Sequence, residues 1–127
     1  MNKLSVQNVL LIHEKLVLAT GGASGLRDMG LLESAVMSCY HTFGGEMLYP
    51  SAVEKAAQIA FAISRNHPFV DGNKRVAVTA MLALLRQNKV DISFTQEALI
   101  ALGLGLADGS LSYEDVVAWI KKHMEIS

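Results

Sequence analysis

Apolar residues recur at helical spacing along most of the chain, and short polar or glycine-bearing stretches divide the pattern into separate helices. Val6, Val9, Leu10, His13, Leu16 and Val17 form one stripe of a helix that starts at Ser5 and stops at Gly21-Gly22, the recurrence of an amphipathic helix. Asp28 is placed to cap a second helix, whose face is Leu31, Leu32, Ala35, Val36 and Cys39. Ser51 with Glu54 has the spacing of a capping box directly after Pro50, so a third helix starts there and runs to about Asn66. Its apolar face is Val53, Ala56, Ala57, Ala60 and Phe61. A fourth helix is expected from Asn73 to about Asn88. Apart from Thr79 it is apolar from Val76 to Leu85, and a helix that is hydrophobic nearly all round is a buried one. This segment is therefore the expected central post.

Val90 to Phe94 reads as a connector, and a fifth helix covers about Gln96 to Ala107. Gly103 and Gly105 either weaken it or let a neighbour approach closely. Asp108-Gly109-Ser110 is a turn, and Ser112 with Asp115 opens a last helix carrying Tyr113, Val116, Val117, Ile120 and Met124 on its stripe. The pattern predicts an all-α fold, a compact bundle of about six helices with a central buried helix. The long loop from His41 to Pro50 stands apart. Gly44-Gly45 lies midway between Thr42-Phe43 and Met47-Leu48-Tyr49, which suggests a short hairpin or open flap able to grip an extended peptide, or else a connector packed on the domain. His41 reads as a surface residue.

Composition narrows this picture. A chain of 127 residues suits one domain spanning 1–127, with one core. Hydrophobic residues at 51% against 18% charged argue against disorder. A net charge of −1 lacks the electrostatic footprint of direct nucleic-acid binding. Cys39 is the single cysteine, which leaves neither an internal disulfide nor a zinc cluster and fits a cytoplasmic setting. Buried in a helix face with nothing to activate it, it reads as a core residue and not as a nucleophile. His13, inside the first stripe, reads as a partly buried, hydrogen-bonded histidine rather than a ligand. No signal peptide is visible at the start, and the run from Val76 to Leu85 is half the ~20 residues of a membrane span.

The unusual chemistry is concentrated in His67-Pro68-Phe69-Val70-Asp71-Gly72-Asn73-Lys74-Arg75, between the third and fourth helices. Pro68 disfavours the α conformation at the preceding residue, so the third helix should end by His67, leaving that imidazole on an extended residue. Gly72 permits backbone conformations closed to other residues, and Asn73 is a good N-cap. Lys74 and Arg75 then fall in the first helical turn, where the positive end of the helix dipole disfavours cations by ~0.3–1 kcal/mol each. An anion resolves the conflict, because a helix N-terminus with added cations is a phosphate seat. Asp71 could hold a magnesium ion, which takes one or two carboxylates plus phosphate oxygens. Singly, each residue has a plainer reading: Asp71 pairs with Lys74 or Arg75, Asn73 only caps, and His67 only ends a helix. Their conjunction within one short loop points to a site.

The loop resembles the signature of the Fic/Doc family, H-x-F-x-(D/E)-G-N-(G/K)-R, with His67, Phe69, Asp71, Gly72, Asn73, Lys74 and Arg75 in every fixed position. Lys74 is the variant typical of the Doc, or death-on-curing, branch. The nucleotidyl-transferring branch has Gly there and a second Arg at the position of Val78. Gly21-Gly22, Gly25-Leu26-Arg27-Asp28 and Leu31-Leu32-Glu33-Ser34-Ala35 also look like a Doc amino-terminal half.

The resemblance implies a Fic/Doc-type helical fold with a flap that docks the target segment. It implies a toxin that uses ATP and Mg2+ to phosphorylate a serine or threonine hydroxyl on a component of translation, with elongation factor Tu the expected target. His67 would take the proton from the attacking hydroxyl, since histidine exchanges protons near physiological pH. Asp71 would hold the metal. Gly72, Asn73, Lys74 and Arg75 would cradle the phosphates, the two cations stabilising transition-state charge, while Phe69 anchors the loop. Thr79, one turn after Arg75, faces the site or bonds its own backbone. Two rival readings are a Fic-type AMP or UMP transferase, disfavoured by Lys74 and Val78, and a non-catalytic nucleotide- or protein-binding module, disfavoured by the presence of both His67 and Asp71. The self-restraining helix pattern of the family, [S/T]-x-x-x-E-[G/N], has no match. Thr42-x-x-x-Glu46 is followed by Met47. Restraint is therefore expected from a small separate antitoxin docking in a groove near the site.

Overall fold

The computed structural model describes residues 2–124. Six helices follow in chain order: α1 (Val6–Thr20), α2 (Met29–Ser38), α3 (Ala52–Asn66), α4 (Asn73–Gln87), α5 (Gln96–Ala107) and α6 (Tyr113–His123). The one sheet among the described residues is a hairpin of β1 (Thr42–Phe43) and β2 (Glu46–Met47), paired antiparallel with Thr42 opposite Met47 and Phe43 opposite Glu46. The all-α expectation holds, and so does the hairpin. None of the described helices is long and apolar enough to cross a membrane.

Local signals set the helix ends. Ser5 caps α1 through a full capping box with Asn8, and Gly21 closes it at φ 74°, a conformation glycine takes without penalty. Asp28 accepts from the Leu31 amide at the start of α2. Ser112 and Asp115 form a reciprocal box on α6. The box expected at Ser51 is only half formed. Ser51 accepts from the Glu54 amide, but the Glu54 carboxylate takes the Ser51 hydroxyl at 2.8 Å instead of reaching back to the backbone.

The core lies where α4 was expected to be central, but α3 shares that place. Each buries eight residues; α3 packs on α2, α4, α5 and α6, and α4 packs on α1, α3 and α5. The alanines 56, 57, 60, 77 and 80, all fully buried, let the two axes come close. Gly105 of α5 allows another close approach: a Cβ there would sit 2.5 Å from Leu111 Cδ1, so any side chain would have to displace that of Leu111. Among the described residues, Lys55 is one of three buried polar residues in this largely apolar interior, with His13 and Asn73. It is 1% exposed, and its ammonium donates to the Tyr49 carbonyl and to Met47 Sδ at 3.5 Å. It ties the root of the hairpin to α3.

Candidate active site

The tight α3–α4 contact forces the chain to reverse within a few residues, and that reversal is the loop 67–72. His67 is not extended, as Pro68 led us to expect; it is left-handed, at φ 52° and ψ 55°. Closing the end of α3 overrides the proline preference. In this conformation the His67 amide donates to the Ile63 carbonyl at 3.0 Å, pairing a carbonyl that the helix end would otherwise leave open. The left-handed state costs an L-residue about 1–2 kcal/mol. Several contacts from outside the loop offset it. The Arg27 side chain donates from Nε to the His67 carbonyl at 2.7 Å and from Nη2 to the Asn66 carbonyl at 2.9 Å. The amides of Arg27 and Asp28 donate to the Pro68 carbonyl at 2.7 and 3.0 Å. The His67 ring is left exposed on the wall of a cavity.

Beneath it the loop is pinned from inside. Phe69 is 1% exposed and stacks on the His13 ring, with centroids 3.9 Å apart and planes 10° apart. Asn73 does not cap α4 as expected. The cap position is Gly72 at φ 80°, with no side-chain cap bond. Asn73 is the first helical residue, 5% exposed, and its amide turns inward to pair with the Phe69 backbone in both directions, at 3.0 and 2.9 Å. A buried backbone pair must find partners, and Asn73 supplies both. His13 satisfies one more loop carbonyl two residues further on, its Nε2 donating to that of Asp71 at 3.0 Å.

With no side chain capping α4, its opening amides stay available at the cavity wall. The Gly72 amide is the exception to the expected cradle, because Asp71 Oδ1 already takes it at 2.8 Å. Asp71 Oδ2 accepts from the Ala23 amide at 3.4 Å. Its hydrogen bonds are thus to backbone amides and not to Lys74 or Arg75, which are exposed on the first turn of α4. Each carboxylate oxygen keeps a second lone pair. No group of three metal-ligating side chains exists among the described residues, so the protein here offers a divalent cation one carboxylate. That fits magnesium, which completes its shell with phosphate oxygens and water, and not a metal caged by protein alone.

The cavity has a volume of about 490 Å³, inside the range of small-molecule pockets. It gathers all six expected residues: His67, Asp71, Gly72, Asn73, Lys74 and Arg75. The sequence did not identify the opposite wall, made by His13, Leu16 and Val17 of α1 and the turn Gly21–Ala23. His13 is hydrogen-bonded, as its place in an apolar stripe suggests, and more deeply buried than the partial burial expected of it. A second cavity of about 470 Å³ adjoins the first, with Leu16, Lys74 and Arg75 lining both. It runs between α4 and α5, past Val78, Thr79, Leu99, Ile100 and Leu104. Thr79 therefore faces this groove and not the site. Val78, 8% exposed, packs toward Gly103. Away from the site, burial pushes the Cys39 thiol up to about 11, in keeping with an inert core residue.

The Fic/DOC family model matches residues 3–85, which span α1 to most of α4 and include the whole loop. The chain belongs to the Fic/Doc family. Among Fic/Doc relatives, the Toxin Doc of Mycolicibacterium smegmatis is 41% identical over 76 residues, 60% of this chain and 58% of that protein. The Protein kinase doc of Escherichia phage P1 is 28% identical over 122 residues, 96% of this chain and 95% of that one. Both relatives carry the Doc name, in accord with Lys74 in the loop.

Proposed function

We propose that this chain is a Doc-type toxin acting in the cytoplasm as a protein kinase, moving the γ-phosphoryl group of ATP to a serine or threonine hydroxyl of a translation component. Elongation factor Tu is the expected target by resemblance. The observation that carries this reading is the exposed His67 ring on the same cavity wall as Lys74, Arg75 and the uncapped start of α4. Catalysis of phosphoryl transfer is mostly positioning and charge neutralisation. His67 accepts the hydroxyl proton as the oxygen attacks the γ-phosphorus; the bond to the bridging oxygen breaks and ADP leaves. The amides of Asn73 and Lys74, with the two cations, receive the phosphate charge. Magnesium, when bound, is held on the protein side by Asp71 and neutralises phosphate charge.

Two features favour kinase over nucleotidyl transfer. Lys74 puts a long cation where the other branch has glycine, and Val78 is buried toward α5, away from the cavity. The antitoxin of the pair is assigned to the apolar α4–α5 groove that shares Lys74 and Arg75 with the site, a helix-in-groove arrangement. Incubation of the purified chain with elongation factor Tu and ATP labelled at either the γ or the α phosphate is the test. Label is expected on the target from the γ position only. Label from the α position alone would overturn the kinase reading in favour of nucleotidyl transfer.

A further inference from the structure

Arg27 lies outside the cavity lining and on the exposed surface, yet it makes the closest side-chain contacts to the backbone that carries His67. Its guanidinium spans two successive carbonyls, those of Asn66 and His67, at 2.9 and 2.7 Å. These belong to the C-terminal end of α3, where carbonyls lack helical partners and the dipole favours a cation. Only a planar fork with several donors fits both at once. The same segment adds three backbone bonds: Arg27 and Asp28 to Pro68, and Val70 to Gly25 at 3.1 Å. Asn66 returns one more, its side-chain amide donating to the Leu31 carbonyl at 3.0 Å. The segment Gly25–Leu31 is thus a splint laid along residues 66–70. His67 is one of two non-glycine residues with positive φ among those described, so something must hold it in that state.

We propose that Arg27 is a positioning residue for His67. By holding both carbonyls it fixes the left-handed backbone, and with it the direction in which the imidazole enters the cavity. The inference rests on the reading of His67 as the general base.

The test uses Arg27→Ala and Arg27→Lys in the full chain, with three readouts: the backbone coupling constant and ring signals of His67 by NMR, γ-phosphate transfer from labelled ATP to elongation factor Tu, and thermal melting. Arg27→Ala should shift the His67 coupling out of the left-handed range and lower kcat by 10- to 100-fold. The KM for ATP should stay within about twofold, and melting should change by only a few degrees. Arg27→Lys keeps the charge but not the fork, and should restore melting more than kcat. It carries the same readouts if Arg27→Ala does not fold. Unchanged His67 signals in the Arg27 variants would overturn the proposal, as would altered signals with an unchanged kcat. If His67→Ala itself retains full transfer, the general-base reading fails instead, while the NMR comparison still decides whether Arg27 sets the His67 backbone.

Discussion

The loop 67–72 and the hairpin 42–47 both join helices and both present side chains outward, yet the fold holds them in opposite ways. Every turn of the loop is tied to something buried or fixed: Phe69 under His13, Asn73 on the Phe69 backbone, Arg27 on His67. The hairpin has two residue pairs, and both of its strands are exposed throughout. Phe43 is 81% exposed at its edge. Its firm attachments are at the root, where Lys55 holds Tyr49 and Tyr49 meets Tyr113 edge-on at 5.3 Å. On the proposed reading, the contrast separates two demands. Groups that move a proton or hold phosphate must be placed to within a fraction of an ångström, whereas an edge that receives a protein segment gains from yielding.

The largest expected effect lies in the loop. His67→Ala should lower transfer by roughly 10²–10⁴-fold, the usual worth of a general base, and abolish growth arrest on expression. Its melting temperature should remain within a few degrees of the parent, since the ring is exposed. Full toxicity in this variant, or inactivity through unfolding alone, would break the assignment.

A matched pair of substitutions tests the contrast in stability. Asn73→Ala strands the buried amide and carbonyl of Phe69, at ~1–3 kcal/mol for each unsatisfied group, and should lower melting by several degrees or more. Phe43→Ser on the hairpin should change stability by less than about 0.5 kcal/mol and instead raise the KM for the protein target. Equal melting losses from the two would erase the distinction.

The last effect is confined to alkaline pH, and it falls on the hairpin side. Burial raises the Cys39 thiol from 9.0 to about 11 and the Tyr113 hydroxyl from 10.0 to about 12. The folded chain keeps these protons to higher pH than the unfolded chain. Their contribution is therefore complete below pH 9.0 for Cys39 and 10.0 for Tyr113, and is lost as pH rises through about 11 and about 12. Melting temperature should fall over that window. Cys39→Ala should flatten the part between 9.0 and about 11, which a titration of melting against pH would read.

Helix order, most helix ends and the hairpin were legible because each has a local cause: Ser5, Gly21, Asp28 and Ser112 act on residues within a turn of themselves. All six expected site residues share one cavity because they are nearly contiguous in sequence. What escaped the sequence depends on distant partners. The inward turn of Asn73 depends on Phe69 being buried between helices, and the left-handed His67 depends on Arg27, 40 residues away. The α1 wall depends on how α1 packs against α4. A rule about the residue before proline has no knowledge of the guanidinium that overrules it.

The left-handed backbone at His67 also bears on how this protein could be redesigned. Scored for stability alone, position 67 calls for glycine, which would relieve the ~1–2 kcal/mol conformational penalty and still allow the amide bond that ends α3. A redesign guided by melting temperature would thus remove the side chain proposed as the general base. Such an optimised chain would be firmer, easier to produce and harmless, and its improved melting curve would give no warning of what had been lost.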